Sequence, residues 1–126
     1  MERNTRQRAA IRQALGEAGR PLSPAEVLAA AQSRVPGLGI ATVYRALAAL
    51  VDEGSVTVVE LPGAPDRYEV AGKHAHHHFV CRRCDRVFET DACTVERVCV
   101  TPPPGFRIET HEVVLRGVCG ECAAAG

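Results

Sequence analysis

The chain has no tryptophan and only 4% aromatic residues, although 46% of its 126 residues are hydrophobic. A core built with so few large rings is small, and either half of a chain this long gains from a metal staple. Net charge is absent too: fifteen Lys and Arg balance fifteen Asp and Glu. Taken alone, that balance argues against a polyanionic partner. No apolar run approaches membrane-spanning length, and the polar N-terminus lacks the apolar stretch of a signal peptide. The expected location is therefore the cytoplasm, without a membrane partner, where thiols stay reduced. The sequence also lacks a phosphate loop, an oxyanion-hole motif and a Ser-His-Asp set. Those absences weigh against an enzyme and against a small-molecule substrate.

Cysteine is present, and it is patterned. Cys81-Arg82-Arg83-Cys84 and Cys119-Gly120-Glu121-Cys122 each separate two sulfurs by two residues. One turn then presents both sulfurs to one ion, and two such knuckles supply the four corners of a structural Zn2+ site. A pair of disulfides or a redox CxxC is the alternative, and a reducing compartment weighs against disulfides. The long separation between the knuckles makes the ion close a domain rather than a small finger.

Charge is unevenly placed. Residues 1–20 hold Arg3, Arg6, Arg8, Arg12 and Arg20 against Glu2 and Glu17, whereas the part after Glu53 holds ten acids and eight bases. A basic start on a neutral chain suits a local phosphate contact, with a solvated helix face as the bland alternative. Residues 5–18 read as an amphipathic helix with Ala9, Ile11, Leu15 and Ala18 near one face. Ser23-Pro24-Ala25-Glu26 is a capping box that opens a second helix to about Ser33. A third helix from about Ala41 to Glu53 stops at Gly54. Its wheel puts Val43, Ala46, Leu47, Leu50 and Val51 together. Thr42, Arg45 and Ala49 lie opposite, with Tyr44 and Ala48 on the rim. Small residues let a backbone approach a partner, Arg45 suits a guanine, and Tyr44 suits a thymine methyl or a phosphate. Val56–Leu61 and Arg67–Val70 then predict a hairpin. Three helices followed by a hairpin is the order of a winged helix.

Residues 71–73 read as a linker between a domain at 1–70 and another at 74–126. His74-Ala75-His76-His77-His78 runs into Cys81, and in a strand His76 and His78 share one face while His77 points the other way. One strand then serves two metal sites, neutral imidazole being a ligand for several divalent ions. A surface His run is the alternative. Arg86–Glu89, Phe106–Glu109 and Glu112–Gly117 predict strands, and Thr94–Val100 a short helix. The overall expectation is an α+β protein: an N-terminal winged helix-turn-helix domain and a small C-terminal α/β domain with structural zinc. The thin core and edge strands of the latter point to a homodimer.

Gly39-Ile40-Ala41-Thr42-Val43-Tyr44-Arg45-Ala46-Leu47, the His-rich strand entering CxxC and the closing CxxC together resemble the ferric uptake regulator (Fur) family over nearly the whole chain. The resemblance implies a homodimeric, metal-dependent transcriptional regulator, mostly a repressor, that binds AT-rich inverted repeats in double-stranded DNA. It implies Tyr44 and Arg45 as base-contacting residues and Arg3 as a contact in the minor groove; Thr42 on the outer face of the same helix and Arg6 and Arg8 of the basic start complete the candidate DNA-binding set. Cys81, Cys84, Cys119 and Cys122 match the structural zinc ligands. Glu69, His76, His78 and Glu89 match a regulatory site, and His77, Glu96 and His111 a further one.

The chain departs from the family pattern at several points. The usual extra N-terminal helix has no counterpart, and Pro21 or Leu22 stands where a ligating His is usual. Ala75 replaces a common ligand of the further site. Three prolines follow a short linking helix. Cys93 and Cys99 are additional, reading as free thiols, with a redox or ligand role for Cys93 as the alternative. The nitrogen and oxygen set tolerates Fe(II), Mn(II), Zn(II) or Co(II); Fe(II) or Mn(II) is the expected regulatory ion, with Zn(II) possible. Val70, where zinc-sensing relatives often have Cys, disfavours a zinc sensor, and Glu89, where peroxide sensors have Asp, disfavours a peroxide sensor. A zinc-scaffolded metalloenzyme or a metal-buffering adaptor is the alternative of another class.

Overall fold

The computed structural model describes residues 2–72, 77–90, 101–109 and 111–126. Its contacts divide the chain into two units, Met1–Lys73 and His74–Gly126.

In the N-terminal unit, α1 spans Glu2–Ala18, α2 Pro24–Ala31 and α3 Ile40–Asp52. The hairpin strands β1 (Val56–Val59) and β2 (Arg67–Val70) follow and pair antiparallel, with Val56 opposite Val70. Helix α2 starts where the capping box dictates. Ser23 Oγ accepts from the Glu26 N–H at 3.2 Å, and the Ser23 N–H donates to Glu26 Oε1 at 3.0 Å. Glu26 also takes an ion pair from Arg20 at 2.6 Å. Burial alone would raise the Glu26 carboxyl, but hydrogen bonds from Arg20 and from Ser23 outweigh it and hold the group below its ordinary value. Helix α3 ends in a Schellman turn: the Gly54 N–H donates to the Val51 carbonyl and the Ser55 N–H to the Leu50 carbonyl, both at 3.0 Å. Gly54 sits at φ 84°, a region glycine enters without steric cost.

The core of this unit joins Ile11 and Leu15 of α1, Val27 of α2, and Val43, Leu47 and Leu50 of α3, all fully buried. The α3 face therefore packs as its wheel predicts, apart from Val51, which is half-buried. The α1 stripe is rotated from expectation: Ala9 and Ala18 are exposed, and Ala10 and Ala14 take the inward places beside Ile11 and Leu15. With several alanines in α1, the larger Ile11 and Leu15 set the angle, and the alanines one position before each fall inside. Leu22 also pairs with Tyr68, exchanging backbone hydrogen bonds at 2.9 and 2.8 Å, so a one-residue strand between α1 and α2 braces the hairpin.

In the C-terminal unit, β3 (His77–Cys81) lies between β4 (Val87–Thr90) and β5 (Val113–Gly117). It runs antiparallel to β4 and parallel to β5. A short helix α4, Gly120–Ala124, follows with Cys119 as its N-cap, an element the sequence reading leaves out. Phe106–Glu109, expected as a strand, forms none. The Phe106 N–H instead closes a turn on the Pro103 carbonyl at 3.1 Å, and Phe106 and Ile108 are exposed. A β-like sequence becomes a strand only where a ladder partner exists. The expected helix at Thr94–Val100 lies outside the described residues.

Ser23→Ala is expected to lower the unfolding free energy by about 1 kcal/mol. Because the Glu26 pKa is lower in the folded protein, its contribution is present above the unfolded carboxyl range and is lost as pH falls through the folded value. Glu26→Gln should therefore be less stable than wild type at pH 7, with the two denaturation midpoints converging in acid. A constant gap across pH in urea titrations would contradict this.

Candidate metal centre and nucleic-acid face

Sheet order explains how two cysteine pairs far apart in sequence meet. Because β3 and β5 are parallel, both end at the same edge, with Cys81 opposite Gly117. The Arg82 N–H donates to the Gly117 carbonyl at 2.8 Å and locks that register past the strand end. The first knuckle is the turn from β3 into β4. Asp85 sits at φ 61°, and its N–H closes on the Cys81 carbonyl at 2.9 Å. The second knuckle opens α4. Gly117 lets the Phe79 ring lie close: a Cβ there would come 3.3 Å from the ring and push it aside by a few tenths of an ångström.

The four sulfurs of Cys81, Cys84, Cys119 and Cys122 lie within 4.8 Å of one another, and Cys84 and Cys119 are 3.8 Å apart. A zinc ion about 2.3 Å from each sulfur sets a tetrahedral edge of about 3.8 Å, so the donor set fits a structural zinc. The Cys119 N–H donates to Cys81 Sγ at 3.3 Å and pushes the Cys81 thiol down to about 6. Cys122 moves the other way, its thiol raised by its interaction with Cys119 and by burial. A tetrathiolate therefore needs a cation to form, and its formation releases protons.

Three charged side chains that the sequence reading passes over tie the knuckles together. Arg86 pairs with Glu121 at 2.7 Å, and Arg83 donates to the Cys122 carbonyl at 3.3 Å. Glu121 holds the Arg86 proton firmly, and the nearby Cys84 and Cys119 sulfurs add to the effect. A base just after one CxxC and an acid inside the other were the available signal.

The remaining ligand candidates are partly assembled within each unit. His78 and Glu89 are directly opposed on β3 and β4. His78 Nε2 is buried and has no hydrogen-bond partner among the described residues. Burial lowers the His78 pKa against the pull of Glu89 and Glu112, which favours the neutral, ligating imidazole. Glu69 is buried on β2 in the N-terminal unit. The His77 and His111 rings lie tilted against each other with centroids 5.3 Å apart, and His77 Nδ1 accepts the Val113 N–H at 3.0 Å. In neutral form His77 then carries its proton on Nε2, so ligation through Nε2 would require exchanging that tautomer. His76 and Glu96 lie outside the described residues, as do Cys93 and Cys99.

On the N-terminal unit, Tyr44 and Arg45 project from α3, and the Arg45 guanidinium donates to Thr42 Oγ1 at 3.1 Å. A groove of about 490 Å³ separates this helix from the start of α1, lined by Arg3, Asn4, Gln7, Arg8, Thr42 and Arg45 among others. Arg3 and Arg6 are exposed, while Arg8 reaches Glu53 at 3.9 Å. Asn4 and Gln7, in the first and second turns of α1, were not expected at this face.

A family model described as the ferric uptake regulator family matches residues 2–116. The chain belongs to the ferric uptake regulator family. It is 37% identical over 87 residues to the ferric uptake regulation protein of Campylobacter jejuni, covering 68% of this chain and 55% of that protein, little more than half its length. Transcriptional regulator FurA of Mycobacterium tuberculosis is 32% identical over 124 residues, with 96% and 83% covered. The crystal structure of FurB from M. tuberculosis, described as a zinc uptake regulator, superposes with a TM-score of 0.51 at 32% identity, covering 96% of this chain and 95% of that one. The α+β fold is shared with this Fur-family structure.

Arg86→Ala is expected to leave the four sulfurs in place but speed zinc loss to a chelator, by about tenfold, the low end for a residue supporting a metal site. Cys119→Ser should abolish stoichiometric zinc and the cooperative unfolding of the C-terminal unit. Zinc analysis with a colorimetric chelator, paired with circular dichroism, reads both; an Arg86→Ala off-rate equal to wild type would contradict the clamp.

Proposed function

We propose that this chain is a metal-responsive transcriptional regulator, mostly a repressor, that binds AT-rich inverted repeats in double-stranded DNA as a homodimer. The observation that carries the reading is the projection of Tyr44 and Arg45 from α3 beside an Arg3-lined groove, in a chain of the ferric uptake regulator family. Arg45 is pre-oriented by Thr42, which suits bidentate recognition of a guanine, and the α1 arginines suit phosphate contacts. Family regulators of this kind are not enzymes, and an operator-bound dimer places two such helices in successive major grooves.

Two ions serve this function. A structural Zn2+ belongs to Cys81, Cys84, Cys119 and Cys122. A regulatory ion, Fe(II) or Mn(II), belongs to Glu69, His76, His78 and Glu89. The opposed pair His78 and Glu89 and the buried Nε2 of His78 support the second assignment. Bound there, a divalent ion supplies a coordination cross-link whose strength depends on how its ligands are arranged. His78 and Glu89 hold their side of that set from adjacent strands, so their spacing is fixed by the sheet. A coupling of about 1–3 kcal/mol would change DNA affinity roughly 5–150-fold. Zinc sensing is the second reading, favoured by the 32% identity to FurB, a zinc uptake regulator. The site at His77, Glu96 and His111 is proposed as a further metal site, subject to the His77 tautomer.

Arg45→Ala should lose sequence-specific binding while keeping one zinc per chain. His78→Ala should fold and keep zinc yet lose metal stimulation. Mobility shifts on an AT-rich inverted repeat, titrated with Mn(II), Fe(II) and Zn(II), separate the outcomes. Binding by neither the loaded nor the unloaded wild type at low salt would reject the regulator reading, and stimulation surviving in His78→Ala would place sensing elsewhere.

A further inference from the structure

Among the described residues of the N-terminal unit, two large hydrophobic side chains are left exposed: Ile40 at 43% and Tyr44 at 55%. They are one turn apart on α3, so they stack on the same face. At 100° per residue the exposed arc runs from Ile40 through Tyr44, Ala48 and Ala41 to Arg45. One flank of the helix is thus apolar, and the other, beside the α1 groove, carries Arg45 and Thr42. No acidic side chain interrupts this arc before Asp52 in the last turn of α3.

Solvent exposure of a β-branched aliphatic at the first position of a helix wins nothing for folding, since the core is complete without it. Ile40 also sits where recognition helices meet bases, at the N-terminal end. The surrounding arginines select a polyanion, and the hydrophobic groups displayed in the major groove of a duplex are the thymine 5-methyls. We propose that Ile40 is a specificity-determining residue that packs against a thymine methyl, extending the apolar contact of Tyr44 by one turn. Arg45 on the opposite flank then reads or anchors a neighbouring position. The inference rests on the DNA-reading function proposed above and adds to it the base chemistry that the N-terminal turn of α3 prefers.

The test is a methyl deletion on both sides of the contact. Full-length protein loaded with zinc and Mn(II) is titrated by fluorescence anisotropy against an AT-rich inverted repeat and the same duplex carrying uracil in place of thymine. Wild type should bind the uracil duplex more weakly. Ile40→Ala should bind the thymine duplex more weakly than wild type and lose about fourfold of the discrimination per half-site, the worth of one buried methyl group. Circular dichroism and zinc content check that the variant is folded. Equal affinity of wild type for both duplexes, or full discrimination retained in Ile40→Ala, overturns the role of Ile40 while leaving the regulator function standing. Failure of wild type to bind either duplex overturns both.

Discussion

The parallel pairing of β3 with β5 is the constraint on which the C-terminal unit depends. It brings Cys81 and Gly117 to one edge, so that the chain turns into Cys119 within reach of the first knuckle. Four sulfurs within 4.8 Å of one another are the outcome, stitched by a backbone N–H to sulfur bond and by the Arg86–Glu121 and Arg83–Cys122 contacts. A three-stranded sheet with few aromatics buries little apolar area. A metal bound only by the folded form adds its binding free energy to folding. The same sheet sets His78 opposite Glu89, so the proposed zinc staple and the proposed regulatory site would share β3.

The N-terminal unit solves a different problem with ordinary means. A capping box starts α2, a Schellman turn stops α3, and one aliphatic seam fills the space between the three helices. That arrangement frees the far side of α3 to be small and largely apolar, with Arg45 and, in the last turn, Asp52 as its charges. A surface helix under no functional demand would carry several solubilising charges there. Its polar edge meets a groove bordered by the start of α1, which explains how a chain of zero net charge presents a basic face.

Much of this was legible before any coordinates. The two CxxC pairs, the capping box, the α3 wheel and the order of helices and hairpin follow from spacing and period, because each depends on residues close in sequence. Family resemblance supplied the roles proposed for Tyr44, Arg45 and the histidines. The misreadings are tertiary in origin. Ala9 and Ala18 looked inward because a helix rich in alanine has no sharp apolar stripe, and contact with α2 and α3 chose its angle. Phe106–Glu109 has a strand-like sequence but no ladder partner among the described residues. The Leu22–Tyr68 bridge and the Arg86–Glu121 pair join positions tens of residues apart, which no local pattern reveals.

By itself, the order of residues determined where α2 begins and where α3 ends, which two cysteines a single turn presents together, and which α3 side chains point away from a core. Those are matters of turn geometry, helical period and side-chain chemistry, all settled within a few residues. Only the folded sheet decided that the two knuckles converge and that His78 faces Glu89. Only the packed helices decided that Arg3 and Arg45 border one groove with Ile40 left in the open. Register and helix rotation are set by contacts between distant segments, and these form only when the whole unit buries its apolar faces at once.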